Sequence, residues 1–495
     1  MATLISVLKQ YRYAIAGFLL LVLILGYVAW DRGFRQLPQP DWVFADEDTR
    51  YKYGSIGAEY DAGIPYWIFQ VLPRVFPEKL PGPGGYASLG VPWEEGHELP
   101  IGFAKKTIGF ARVGNNCAVC HTAQYRLNGE DKPVFVPTGP GHTSNVEGFF
   151  TFLIECAKDP RFNAENILPQ ILLSTKLDWI DTLLYKYFII PITRKRLLEM
   201  EYQFTWMFNP EYPHWGPGRD DPMNLTKYFI IGVEPPDDGT HGPTDFPAIW
   251  HLAKYKNTPN TDNPKRLNYA GDTWDAESVV IDSALGIIGA EPKDLNQFNA
   301  TMVWLEQYLS AYPAPKYPLP VDADKAALGK VIYDKVCAAC HAAVGDKVGR
   351  PLPIAEVNTS PERLATWGKD YAIKANRIVT EAGIARRGLV EEDPIGYKVP
   401  YLYGLWLRAP YLHNGSVPTL RDLLTPAQQR PTSFYRGYDV LDAANVGFVT
   451  SGAKAEAAGT YFDIQGKGNS NQGHEFGTDL PEEEKNQLLE YLKTL

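Results

Sequence analysis

Cys117-Ala118-Val119-Cys120-His121 and Cys337-Ala338-Ala339-Cys340-His341 decide how this 495-residue chain is read. Two cysteines three positions apart can form thioethers to both vinyl groups of a haem, and the adjoining histidine then sits beneath the iron as axial ligand. A thioredoxin-like pair needs no following histidine, and a zinc site needs closing Cys or His pairs that this sequence lacks. The motif occurs twice and takes four of the five cysteines. The expected cofactors are therefore two covalently bound haem c groups, held by Cys117, Cys120 and His121 and by Cys337, Cys340 and His341. Cys156, in an apolar run from Phe149, is expected to be a buried, inert thiol.

Tyr13 to Trp30 carries no charge, and its length as a helix spans a hydrocarbon core. Tyr11, Tyr13, Tyr27 and Trp30 have the placing of interfacial aromatic anchors. A cleavable signal peptide is the rival reading, with Lys9 and Arg12 as its basic region. The apolar segment is longer than a usual signal core and the cleavage signal after it is poor, so an uncleaved anchor is favoured. Covalent c-type attachment takes place outside the bacterial inner membrane. That implies a cytoplasmic tail at 1–12, a single transmembrane helix at 13–30 and a periplasmic remainder.

That remainder, about 465 residues, is enough for two or three domains. A formal net charge of −10 and a pI near 5.5 argue against nucleic acid as a partner. Forty prolines, 43 glycines and 13% aromatic residues suggest a loop-rich body wrapped around flat apolar groups.

Asp322 to Val336 has a helical apolar stripe running directly into the second haem motif, and Leu328-Gly329-Lys330-Val331-Ile332-Tyr333 resembles the N-terminal helix of small class I cytochromes c. Pro481 to Leu495 reads as the matching C-terminal helix, with three glutamates suited to its start. Thr301 to Tyr312 reads as a similar helix, because Leu305-Glu306-Gln307-Tyr308-Leu309 is close to Leu489-Glu490-Tyr491-Leu492. The expected fold is mainly α and loop-rich: two tandem cytochrome c-like haem domains with insertions, at 31–312 and 321–495, joined by a Pro-rich linker at 313–320. The insertion from Ile167 to Phe204 is expected to be helical, broken at Pro191 and mostly core; a membrane-facing or partner-facing patch is the alternative.

Lys398-Val399-Pro400-Tyr401-Leu402 and the run from Ala409-Pro410-Tyr411-Leu412-His413-Asn414-Gly415 to Leu420 resemble a signature of the bacterial di-haem cytochrome c peroxidase superfamily. Leu405-Trp406 and the segment Asn469-Ser470-Asn471-Gln472-Gly473-His474-Glu475-Phe476 are most similar to the rubber-oxygenase-like branch. Two features depart from the peroxidase pattern. Tyr403-Gly404 stands where those enzymes carry Arg-Asn, and all five methionines precede the second haem motif. A methionine ligand from that haem's own domain is therefore excluded.

Only His413 and His474 follow His341. The resemblance implies His474 as distal ligand of the second haem, with His413 the rival. A bis-His iron has no open position and suits electron transfer. For the first haem, His142 is the best-placed distal candidate among His97, His142, His214, His241 and His251. Related proteins carry Arg at this point, which would favour propionate contact. Without a second ligand the iron would be open to oxygen or peroxide, and Phe149, Phe150 and the stretch from Phe246 to Trp250 could line a pocket there. Trp274 and Trp406 are candidate aromatics between the haems, or core residues.

Two functions follow. One is a membrane-anchored periplasmic cytochrome exchanging electrons with redox donor and acceptor proteins. The other is a haem peroxidase or oxygenase that reacts at the first haem and uses the second as an electron store.

Overall fold

The computed structural model describes residues 11–38, 44–60, 62–234, 237–257 and 262–495. Most of the expected tail, residues 1–10, lies outside them. About 45% of the chain is helical, and the strands are short antiparallel pairs plus one three-stranded sheet.

One helix, Arg12–Gly33, has a mean hydropathy of 2.2 over its most apolar window and buries none of its residues. It is long and apolar enough to cross a membrane, a test that a signal sequence would also pass.

The second motif sits in a compact helical unit. Helix Ala323–Val336 is capped by the Asp322 carboxylate, which accepts from the Lys325 N–H, and it packs along Glu482–Leu492. Gly329 makes this crossing possible, since a Cβ there would run into the Gln487 carbonyl. The rings of Tyr333 and Tyr491 meet with centroids 5.1 Å apart.

The first motif has a similar pair. Helix Glu47–Tyr53 meets Asn299–Ala311, and the rings of Tyr51 and Tyr308 stack with centroids again 5.1 Å apart. Asp48 accepts hydrogen bonds from the hydroxyls of Tyr308 (2.8 Å) and Tyr312 (3.2 Å). The sequence reading found Asn299–Ala311 but missed Glu47–Tyr53. The reason is an inserted segment, residues 54–116, containing the sheet in which Phe110–Asn115 lies between Ile64–Pro65 and Phe103–Ile108. Residues 313–320 are irregular chain between Asn299–Ala311 and Ala323–Val336.

Among the described residues, three buried ion pairs link chain before residues 313–320 to chain after them: Asp245 with Arg436, Asp272 with Arg363 at 2.6 Å, and Asp282 with Arg386 at 2.5 Å. In each, the earlier residue is the acid and the later one the base. Losing one partner of such a pair strands a buried charge, which is more costly than the pair is stabilising.

The insertion at 167–204 departs from expectation in two ways. Its break falls between Ala164–Ser174 and Trp179–Leu184, not at Pro191. Pro191 instead follows a π turn, Tyr185–Ile189, that accommodates its missing N–H, and helix Ile190–Gln203 continues from there. The segment is also only partly core: Ile167, Ile171, Tyr185 and Ile190 are buried, whereas Trp179 and Leu183 are exposed. Cys156 is buried, as its neighbours suggested.

Candidate haem sites

Both motif histidines are oriented in the same way. His121 Nδ1 donates to the Pro247 carbonyl at 2.9 Å, and His341 Nδ1 donates to the Pro400 carbonyl at 3.1 Å. This fixes the tautomer and leaves each Nε2 lone pair available to a metal. Burial pushes the His121 pKa down to about 4 and lowers that of His341, so both rings are neutral at pH 7.

The prolines belong to two segments of matching backbone. Pro247-Ala248-Ile249-Trp250-His251 and Pro400-Tyr401-Leu402-Tyr403-Gly404 each end on a left-handed residue, His251 at φ 55° and Gly404 at φ 63°, followed by a 3-10 turn. Further on, Asn268 and Gly271 take positive φ, as do Leu412 and Gly415. Each loop is closed by an antiparallel bridge, Leu267 with Thr273 and Tyr411 with Val417. Tyr269 and His413 are thereby equivalent, and their rings meet edge to face at 6.4 Å.

A cavity of about 650 Å³ lies beside the second motif, lined by Cys337, Cys340, His341 and His474 with mainly apolar walls. The rings of His341 and His474 have centroids 6.2 Å apart. Two imidazoles sharing one metal through nitrogens at about 2 Å hold their centres at about this separation. His474 occupies a left-handed position (φ 52°) after Gly473, where a Cβ would strike Asn358. Burial and the neighbouring His341 lower its pKa to about 4.

These residues fit haem c. The cysteines and two facing imidazoles converge on one cavity, and orphaned cationic donors suit an acidic group. Arg408 lines the cavity with its Nε buried and unpartnered, and the Nε and Nη1 of Arg363 are likewise buried without partners. Unpaired donors at such depth are costly unless an anion completes them. When bound, haem c supplies reversible one-electron chemistry at iron. The protein's part is to orient His341 through Pro400, exclude water with apolar walls and present Arg408.

The other candidate histidines make other contacts. His413 stacks on Tyr397 at 3.9 Å and lines the cavity, its pKa pushed down to about 3 by burial and Arg363. His142 stacks on Phe448 at 3.8 Å with Nε2 buried and unpartnered. His97 stacks on Tyr53 at 4.4 Å, His214 bonds Glu147 at 2.7 Å, and His251 Nε2 accepts from the Ala314 N–H at 3.1 Å. His241 is buried against Tyr212. The ring of His121 has Phe246 as its neighbour, at 6.2 Å.

Phe246 to Trp250 line the cavity, whereas Phe149 and Phe150 do not: they pack with Phe69, Phe103 and Phe204 in a core that also takes in Phe246 and Cys120. Trp406 is core, its Nε1 donating to the Pro315 carbonyl at 3.0 Å. Trp274 is half-buried between the guanidinium groups of Arg266 and Arg387. Sequence reasoning missed Arg408, whose only signal was charge within an otherwise apolar stretch, and Arg363, which follows Glu362 in polar sequence and gave no signal.

Residues 396–435, which include Pro400, Arg408 and His413, match a family model described as RoxA-like, cytochrome c-like. The chain carries a cytochrome c-like domain. It is similar to two curated proteins of Sinorhizobium fredii. The uncharacterized protein y4iJ is 43% identical over 113 residues, covering 21% of this chain and 18% of that protein. The uncharacterized protein y4iM is 29% identical over 258 residues, covering 47% and 57%. The chain thus spans less than two thirds of either relative.

Proposed function

We propose that this chain is a membrane-anchored di-haem c-type cytochrome that transfers electrons between redox partner proteins outside the inner membrane. The rings of His341 and His474, with centroids 6.2 Å apart, carry the proposal: Cys337 and Cys340 would hold haem c covalently and both imidazoles would ligate its iron, leaving no position for a substrate, which suits a carrier. Cys117, Cys120 and His121 would hold the other haem, His121 being steadied by Pro247 as His341 is by Pro400. The matching backbone segments and the two Tyr–Tyr helix crossings support two tandem cytochrome units.

One observation favours a second reading, a peroxidase or oxygenase acting at the first haem. The ring beside His121 is the apolar Phe246, and His142 is held against Phe448. A potentiometric titration followed by visible spectroscopy separates the two. Two low-spin haems silent toward peroxide, oxygen and carbon monoxide support the carrier. A high-spin ferric haem that binds carbon monoxide on reduction, with peroxide turnover, overturns it in favour of the enzyme.

A further inference from the structure

The pentapeptide Lys-Tyr-Phe-Ile-Ile occurs twice, at 186–190 and 227–231, and both copies contain a π turn. In the second copy Lys227 is buried on Asp238 at 2.6 Å, and the rings of Tyr228 and Phe229 pack on Phe204 at 5.7 and 5.9 Å. In the first, Tyr187 and Phe188 are each 58% exposed. Ile189 and Ile190 are buried in the first copy, so the difference lies in the two rings, which are half-buried at Tyr228 and Phe229 and bare at Tyr187 and Phe188.

The bare copy continues an apolar stripe. Trp179 (73% exposed), Leu183, Phe188 and Ile192 recur at four- to five-residue spacing along the helix, and Leu172 and Leu173 extend the face from the preceding helix. The stripe begins where the apolar N-terminal helix ends. Arg32, in that helix's last turn, grips Asp181 and Asp178 at 2.9 Å each, and these two acids flank Trp179. Exposed Lys176, Lys186 and Lys195 lie along the same segment. An apolar face with an indole at one end, cationic residues along it and a transmembrane helix clamped beside it has the composition of an interfacial helix.

We propose that the face formed by Leu172, Leu173, Trp179, Leu183, Phe188 and Ile192 lies in the headgroup–acyl boundary of a phospholipid bilayer, so that the folded body as well as the N-terminal helix contacts the membrane. The proposal rests on the anchor reading. Its consequence is a fixed orientation of the body, because the Arg32 clamp and the embedded face together remove free rotation about the anchor.

The test uses the full haem-bearing chain in vesicles of phosphatidylcholine and phosphatidylglycerol containing a phospholipid with a diazirine near its headgroup. After photolysis, lipid adducts are mapped by peptide mass spectrometry. Adducts are expected both on the N-terminal helix and on peptides spanning 172–192. The double variant Leu183→Glu/Phe188→Glu should lose the second set several-fold, keep the first and retain its haem. Adducts on the N-terminal helix alone overturn this proposal while the anchor reading stands. A chain left in the supernatant with no adducts overturns the anchor reading itself. Inter-chain lysine cross-links through Lys186 without lipid adducts on the face overturn the proposal by assigning it to a second copy.

Discussion

Trp250 Nε1 donates to the Tyr403 carbonyl at 3.0 Å, and the two residues hold equivalent places, each three positions after the proline that receives a motif histidine. His121, Pro247, Trp250, Tyr403, Pro400 and His341 thus form one short path between the two motifs, closed by hydrogen bonds of 2.9, 3.0 and 3.1 Å.

Trp250→Phe removes the central bond of that path. Tyr403 keeps its bond from Arg408, so no carbonyl is orphaned and the loss of stability should be about 1–2 kcal/mol. The absorption spectrum should be unchanged, while electron redistribution between the haems slows. Denaturant unfolding and flash-photolysis kinetics measure the two effects. Unaltered kinetics would exclude the path.

His474→Ala should turn one low-spin haem high-spin and shift its reduction potential, while both haems stay attached through their cysteines. His413→Ala should leave the low-spin signal intact, because that ring is stacked on Tyr397. The reverse pattern in visible spectra and redox titration would make His413 the ligand.

Gly329→Val places a branched side chain against the Gln487 backbone at the crossing of Ala323–Val336 and Glu482–Leu492. Separating these helices should cost about 3 kcal/mol, the upper end of overpacking costs, and thermal unfolding should show it. A midpoint equal to the parent's would mean that the helices do not cross there.

Asp220 gives stability a pH dependence. Burial first, and then the neighbouring Asp221, raise its pKa from 3.8 to about 8. The folded state therefore keeps a proton that the unfolded chain has released, and stability should fall as pH rises from about 4 to 8, by up to about 1.4 kcal/mol per unit. Asp220→Asn cannot titrate and should show a flatter profile of unfolding free energy against pH. Parallel profiles for the two proteins would contradict the assignment.

Much of the molecule was legible along the chain because the signals were local. The Cys-x-x-Cys-His spacing, the helices Ala323–Val336 and Glu482–Leu492 and the apolar N-terminal helix each depend on residues within a few turns of one another. Tertiary structure decided what depends on distant residues. Helix Glu47–Tyr53 found its partner across an inserted sheet, and Trp250 found Tyr403 across 153 positions. His474 was brought to face His341, whereas His142 was turned onto Phe448. The two copies of Lys-Tyr-Phe-Ile-Ile make the division plain. Each copy overlaps a π turn, at Tyr185–Ile189 and Lys227–Ile231, because backbone hydrogen bonding is local, but only packing decided which pair of rings was covered, because burial requires a neighbouring surface that the pentapeptide does not encode.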